Sequence, residues 1–199
     1  MTELFERIRA IIPTIGGWTS VEKANTFAAL ILGIRPEVTC EVGVWCGRGS
    51  LSMGMAHKEI GRGVVWSIDA WSATASAEGQ QHEADKNHWL AANHEAAYQQ
   101  FIYNVQALNL QHCVKVIRER SANATPPEKI SLLILDGNHG PEAVKDVQRY
   151  APKVRMGGFV YMDDLNWTGG NVLKAANTLK TMGFTELYPL ETGMMYQRV

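Results

Sequence analysis

Five short apolar runs rich in β-branched residues, at positions 38–44, 64–68, 114–117, 130–135 and 159–162, constrain this chain more than anything else in it. Runs of that length, bounded by turn residues, read as strands buried on both faces. Between them the apolar period changes. Val21, Ala24, Phe27, Ala28, Ile31 and Leu32 recur at helical spacing behind a Thr19-x-x-Glu22 capping box. Ala143, Val147, Tyr150 and Val154 do the same behind Pro141, a residue suited to a first helical turn. Further helices are expected over residues 51–60 and 91–110. Strand and helix therefore alternate, which requires crossover connections and a mostly parallel sheet with helices on both faces.

The fold expected is α/β and doubly wound, with seven strands. Residues 184–188 and 194–198 are separated by so short a link, 189–193, that they read as a hairpin, placing an antiparallel edge strand at the C-terminal end of the sheet. At 199 residues the chain is expected to be a single domain, 1–199, large enough to bury about 70% of its unfolded surface. Its N-terminal helical segment covers about 1–36. Residues 72–94 fit the alternation poorly and read as a solvated, lid-like insertion over the crevice. The insertion carries His82, His88 and His94, but a spacing of six puts them on different helix faces, against a zinc cluster.

Composition excludes several partners. Nineteen Lys and Arg against twenty Asp and Glu give a net charge of -1, and Arg118 with Arg120 is the densest basic spot, so no nucleic-acid footprint is present. No stretch approaches the ~18 apolar residues of a membrane span. Cys40, Cys46 and Cys113 are odd in number and lack a CxxC spacing, as expected for reduced thiols in the cytoplasm. The partner expected is a small molecule, and the sequence leaves room for a homo-oligomer.

Chemistry concentrates where the strands end. After the first run comes Glu41-Val42-Gly43-Val44-Trp45-Cys46-Gly47-Arg48-Gly49-Ser50, a glycine-rich turn whose backbone can approach a ligand closely. Asp69 closes the second run, where an acid can accept both hydroxyls of a ribose. Together they favour a nucleoside-containing ligand. There is no Gly-Lys-Ser/Thr phosphate loop, and no Tyr-x-x-x-Lys accompanies the turn, so a nucleoside triphosphate and a nicotinamide dinucleotide are both disfavoured. Asp136-Gly137-Asn138-His139 closes the fourth run and Asp163-Asp164 the fifth. Carboxylates and an imidazole gathered at such ends suit a metal or proton-transfer site, and a carboxylate ending a run as apolar as 132–135 needs a partner.

These residues carry a resemblance. Glu41-x-Gly43-x-x-x-Gly47-x-x-Ser50, Ile68-Asp69-x-Trp71, Asp136-Gly-Asn-His139 with Glu142 and Asp146, and Gly157-Gly158 before Asp163-Asp164 make the chain similar to class I S-adenosylmethionine-dependent methyltransferases. Within that class it resembles small-molecule O-methyltransferases that act on sugar hydroxyls. The resemblance runs from Gly17 to Trp167 and implies a Rossmann-like fold. It also implies that Trp18, Glu41, Gly43, Gly47, Ser50, Asp69, Ala70, Trp71, Ser121 and Asp136 surround S-adenosylmethionine, with Ala122 beside the adenine. Asp136, Asp163 and Asp164 are implied to bind a divalent metal, with Mg²⁺ expected because the ligands are all oxygen. His139 is implied to act as the base, with Asp136 beside it in the catalytic pair. The sequence departs from the commoner pattern at Trp45, where a glycine often stands. A metal-independent methyltransferase and a non-catalytic S-adenosylmethionine-binding module stay open as alternatives.

Overall fold

The computed structural model describes residues 2–199. Two helices, α1 (Thr2–Ile11) and α2 (Val21–Ile34), precede the first strand, β1 (Val38–Val42). The chain continues through α3 (Arg48–Ile60), β2 (Val64–Asp69), α4 (Ala73–Ala77), α5 (Glu83–Ala91), α6 (His94–Ala107) and β3 (Val114–Arg118). It then forms β4 (Ile130–Leu135), α7 (Glu142–Tyr150), β5 (Val154–Met162), α8 (Asn171–Thr181), β6 (Phe184–Leu190) and β7 (Gly193–Arg198). The strands make one sheet in the order β3-β2-β1-β4-β5-β7-β6. Strands β1 to β5 pair in parallel, and β7 inserts antiparallel between β5 and β6, leaving β6 at the edge.

Each face of the sheet is covered. On one side Leu4, Ile8, Phe27, Leu51, Met53 and Phe101 from α1, α2, α3 and α6 pack against the strands. On the other, Val147 and Tyr150 of α7 and Val172 and Leu179 of α8 do so. Every residue of β4 is buried, which explains why its sequence is a continuous apolar run without alternation. The strand order reverses between β1 and β4, and the crevice beyond their carboxyl ends is where open α/β sheets place ligands. Among the described residues no helix is long and apolar enough to cross a membrane.

Three local expectations are corrected. The cap of α2 is Ser20 and not Thr19, its hydroxyl accepting from the Lys23 amide at 3.1 Å; Glu22 is then the second helical residue, one short of the third that a capping box needs. Val154 does not continue the face of α7 but opens β5, because a turn at 151–153 containing Pro152 ends the helix. Gly157, with φ of 71°, sits inside β5, and the register against β4 shifts between Ile130 and Leu132 as in a bulge. The 72–94 insertion was expected as a solvated lid. It folds into α4 and α5, and His94 is buried rather than solvated, its Nε2 2.9 Å from the Trp89 carbonyl.

Candidate functional site

The turn after β1 has the shape its glycines dictate. Gly43 has φ of 87°, and a Cβ there would overlap the backbone carbonyl of Asp136, so β1 and β4 can close on each other only with glycine at this position. A Cβ on Gly47, φ 93°, would run into the Phe101 ring. Trp45 adopts φ of 51° with no glycine to relieve it, a conformation that costs roughly 1–2 kcal/mol. That cost is offset from the neighbouring strand. Asp69 Oδ2 accepts from the Val44 and Trp45 amides at 2.8 and 2.9 Å, and its Oδ1 accepts from Trp71 N at 2.7 Å.

Glu41 lies beneath the turn, buried, with its carboxyl accepting from the Ser50 hydroxyl. Burial pushes its pKa up to about 8, more than the Ser50 hydrogen bond lowers it. Ser50 in turn lies 2.6 Å from Ser67 Oγ, a polar chain that joins α3 to both strands.

The second half of the site stands at the ends of β4 and β5. Asp136, His139 and Asp164 each present a ligand atom within 4.8 Å of the others, a grouping that could hold a cation. Burial, then the charges of Asp163, Asp164 and Glu41, push the Asp136 pKa well up. His139 is stacked on Trp167 with ring centroids 4.1 Å apart and planes 17° apart. Its Nε2 lies 3.0 Å from Asp164 Oδ2 but is not aligned for a hydrogen bond, and both ring nitrogens are buried without a hydrogen-bond partner. Burial works to raise the Asp164 pKa, but His139 and Lys23 outweigh it and hold the carboxyl low.

Asp163 is committed elsewhere. Its two oxygens take the Lys23 ammonium at 2.9 and 2.7 Å, and its Oδ1 also accepts from Tyr161 Oη, Thr192 Oγ1 and the Asp164 amide. The adjacent aspartates point apart because Asp164 has φ of 51°. Burial opposes the charge on Lys23, but Asp163 more than compensates and its pKa is raised.

One cavity of about 750 Å³ joins the two halves. Trp18, Glu41, Gly43, Asp69, Ala70, Ser121 and Asp136 line it, together with His139, Asp163 and Asp164. Gly47, Ser50 and Trp71 do not reach it. Gly47 backs onto Phe101, Ser50 is turned to Glu41, and the Trp71 indole donates to the Trp45 carbonyl and stacks on Phe101. At the mouth Trp18, 64% exposed, meets Trp45 and Trp89 at centroid distances of 6.0 and 5.8 Å, joining the N-terminal segment, the glycine turn and α5. Among the described residues the grouping of potential metal ligands falls at Asp136, His139 and Asp164 and not at His82, His88 or His94.

Two lining residues were given no role from the sequence. Lys23 had one signal, a cation in the first turn of a helix, where the dipole disfavours it. Asp146 had another, an acid between Ala143 and Val147 on the buried face of α7; its Oδ1 is buried without a partner, and burial pushes its pKa up to about 7.

Residues 40–165 match the family model described as a methyltransferase domain. The match takes in more than half of the chain, which therefore belongs to that family and is a class I, S-adenosylmethionine-dependent methyltransferase. Comparison with curated proteins finds no match. Among solved structures, the O-methyltransferase NovP superposes with a TM-score of 0.71 at 16% identity, covering 90% of this chain and 81% of that one. The S-adenosylhomocysteine-bound Podospora anserina methyltransferase PaMTH1 gives 0.66 at 12%, covering 100% and 87%. The O-methyltransferase TomG from Streptomyces achromogenes, involved in tomaymycin synthesis and solved with S-adenosylmethionine, gives 0.63 at 12%, covering 99% and 89%. Likeness at such identities speaks for the fold.

Proposed function

We propose that the protein transfers the methyl group of S-adenosylmethionine to a hydroxyl of a small, sugar-like or vicinally hydroxylated acceptor in the cytoplasm. In this reading a divalent metal, Mg²⁺, is held by Asp136 and Asp164, and His139 is the base. The observation that carries the proposal is the single cavity running from the glycine turn and Asp69 to Asp136, His139 and Asp164.

The residues fit both groups. Gly43 lines the cavity with backbone alone, and Asp69 is fixed there by three backbone amides with lone-pair capacity remaining for ribose hydroxyls. When bound, S-adenosylmethionine supplies a methyl carbon made electrophilic by its sulfonium. Asp136 and Asp164 suit Mg²⁺, which is commonly held through one or two carboxylates and keeps waters or substrate oxygens in its other positions. When bound, such an ion supplies charge that lowers the pKa of a nearby hydroxyl.

The chain's own residues then divide the work. An imidazole whose nitrogens have no competing hydrogen bond is free to accept the hydroxyl proton, and Trp167 fixes the plane of that ring. Asp164, 3.0 Å away, stabilises the imidazolium that results. The acceptor oxygen forms its bond to the methyl carbon as the carbon–sulfur bond breaks, its electron pair passing to sulfur to leave the neutral thioether. Trp18, Trp45 and Trp89 cover the mouth and exclude water. The three cysteines, free and buried, support a reducing compartment.

The test is methyl transfer from labelled S-adenosylmethionine to a panel of vicinal diols, with and without EDTA. A labelled methyl ether that disappears on chelation and returns with Mg²⁺ is expected. Undiminished transfer in EDTA removes the metal from the proposal, and label appearing only on nitrogen or carbon removes the hydroxyl.

A further inference from the structure

The two aspartates that end β5 are adjacent in sequence, yet they face different partners. Asp163 has four donors around Oδ1 and the Lys23 ammonium again at Oδ2, so Oδ1 is saturated and Oδ2 is held by a cation. Lys23 is spent as well. Its Nζ reaches both Asp163 oxygens and lies 3.2 Å from Thr192 Oγ1, with Glu191 at 3.6 Å. Both side chains are 5% exposed, which shields the pair from screening by salt. Asp164, with its left-handed backbone, turns the other way, toward His139 and Asp136. That second group shows what the first lacks: His139, its side chain 9% exposed, has no hydrogen-bond partner at either nitrogen.

We infer that Lys23 is a positioning residue of the cation centre, an internal ammonium that closes Asp163 and keeps it from becoming a third carboxylate ligand. The centre then offers Asp136 and Asp164 alone as carboxylates. The inference rests on the metal-dependent reading above and goes beyond it in assigning different work to two neighbouring acids. It also makes α2, which lies outside the matched family segment, part of the assembly of the centre.

Removing the ammonium releases Asp163 toward the cation and leaves the centre one negative charge richer. Lys23→Met frees Asp163, and the charge count of a carboxylate site is what tunes its affinity for a hard cation. The experiment is Mn²⁺ binding to the full chain, followed by calorimetry and by the electron-spin resonance of free Mn²⁺. Lys23→Met is expected to tighten Mn²⁺ binding by about tenfold, the scale on which groups around a metal act. Asp164→Asn is expected to weaken it by at least about tenfold, while the double variant Lys23→Gln/Asp163→Asn, which buries no lone charge, stays within about threefold of the parent.

Unchanged or weaker binding by Lys23→Met overturns the inference. So does a double variant that loses as much affinity as Asp164→Asn, and this arm decides the matter should Lys23→Met not fold. A parent that binds no Mn²⁺ beside a Lys23→Met variant that does removes the metal from the proposed function and the inference with it, whereas a parent that binds and a Lys23→Met variant that binds no tighter overturns the inference alone. Absence of binding in both removes both.

Discussion

Glu41 and His139 are two buried polar groups whose substitution should have separable effects. Folded Glu41 keeps its proton to about 8, whereas an unfolded glutamate loses it near 4.5. Between those values the folded state binds the additional proton, so the stability this group contributes is whole below about 4.5 and is lost as the pH rises through about 8. Glu41→Gln keeps a partner for Ser50 without the titration. Denaturant unfolding should show the variant gaining on the parent by more than ~1 kcal/mol between pH 5 and pH 8.5; parallel pH profiles would contradict the assignment. His139→Gln should lower kcat by roughly 10²- to 10⁴-fold while S-adenosylhomocysteine binding is kept. A loss confined to cofactor affinity would place the imidazole outside the chemistry. The same scale shows what a sequence can disclose. Asp136 stands out because an acid ending a fully buried run needs a purpose. Which of Asp163 and Asp164 faces the cavity depends on one backbone angle and on a lysine 140 positions away, and neither leaves a local pattern.

Among the elements, β4 and α5 stand at opposite ends of local stability. All six residues of β4 are buried between two neighbouring strands, while α5 buries none of its side chains. Amide exchange should therefore be slowest in 132–135 and should approach unprotected rates in 83–91. Comparable protection in the two would mean that α5 packs more firmly than its side chains indicate. The parallel strands were legible because burial on both faces writes a continuous apolar run, whereas a run does not say which strand it lies beside. Helix limits were less so, since Ser20 and Thr19 are both good caps and only the backbone torsions choose between them. The segment 72–94 was the least legible, because helices that bury little carry no strong apolar period.

For the molecule as a whole, one cavity bridging β1, β2, β4 and β5 means that a ligand filling it ties both halves of the sheet together. S-adenosylhomocysteine at about 100 times its Kd should add ~2.7 kcal/mol and raise Tm by roughly 5–10 °C. A melting point indifferent to it would mean that the cavity does not take the nucleoside. The reversal of strand order that creates this cavity was readable as a class of fold, whereas the insertion of β7 between β5 and β6 was not. A hairpin specifies that two strands pair, but not which of them meets the rest of the sheet.

The aromatic contact of Trp89 with Trp18 and Trp45 ties an otherwise unburied helix to the glycine turn and the N-terminal segment, and this turns ligand binding into a matter of populations. If donor and acceptor both require α5 seated, each is bound with its intrinsic constant divided by the seated fraction, and whichever arrives first spares the second that factor. Two molecules at opposite ends of the cavity then bind cooperatively. Trp89→Ala should weaken S-adenosylhomocysteine and acceptor by the same factor when each is titrated alone, a symmetry that loss of a direct contact to either one would break.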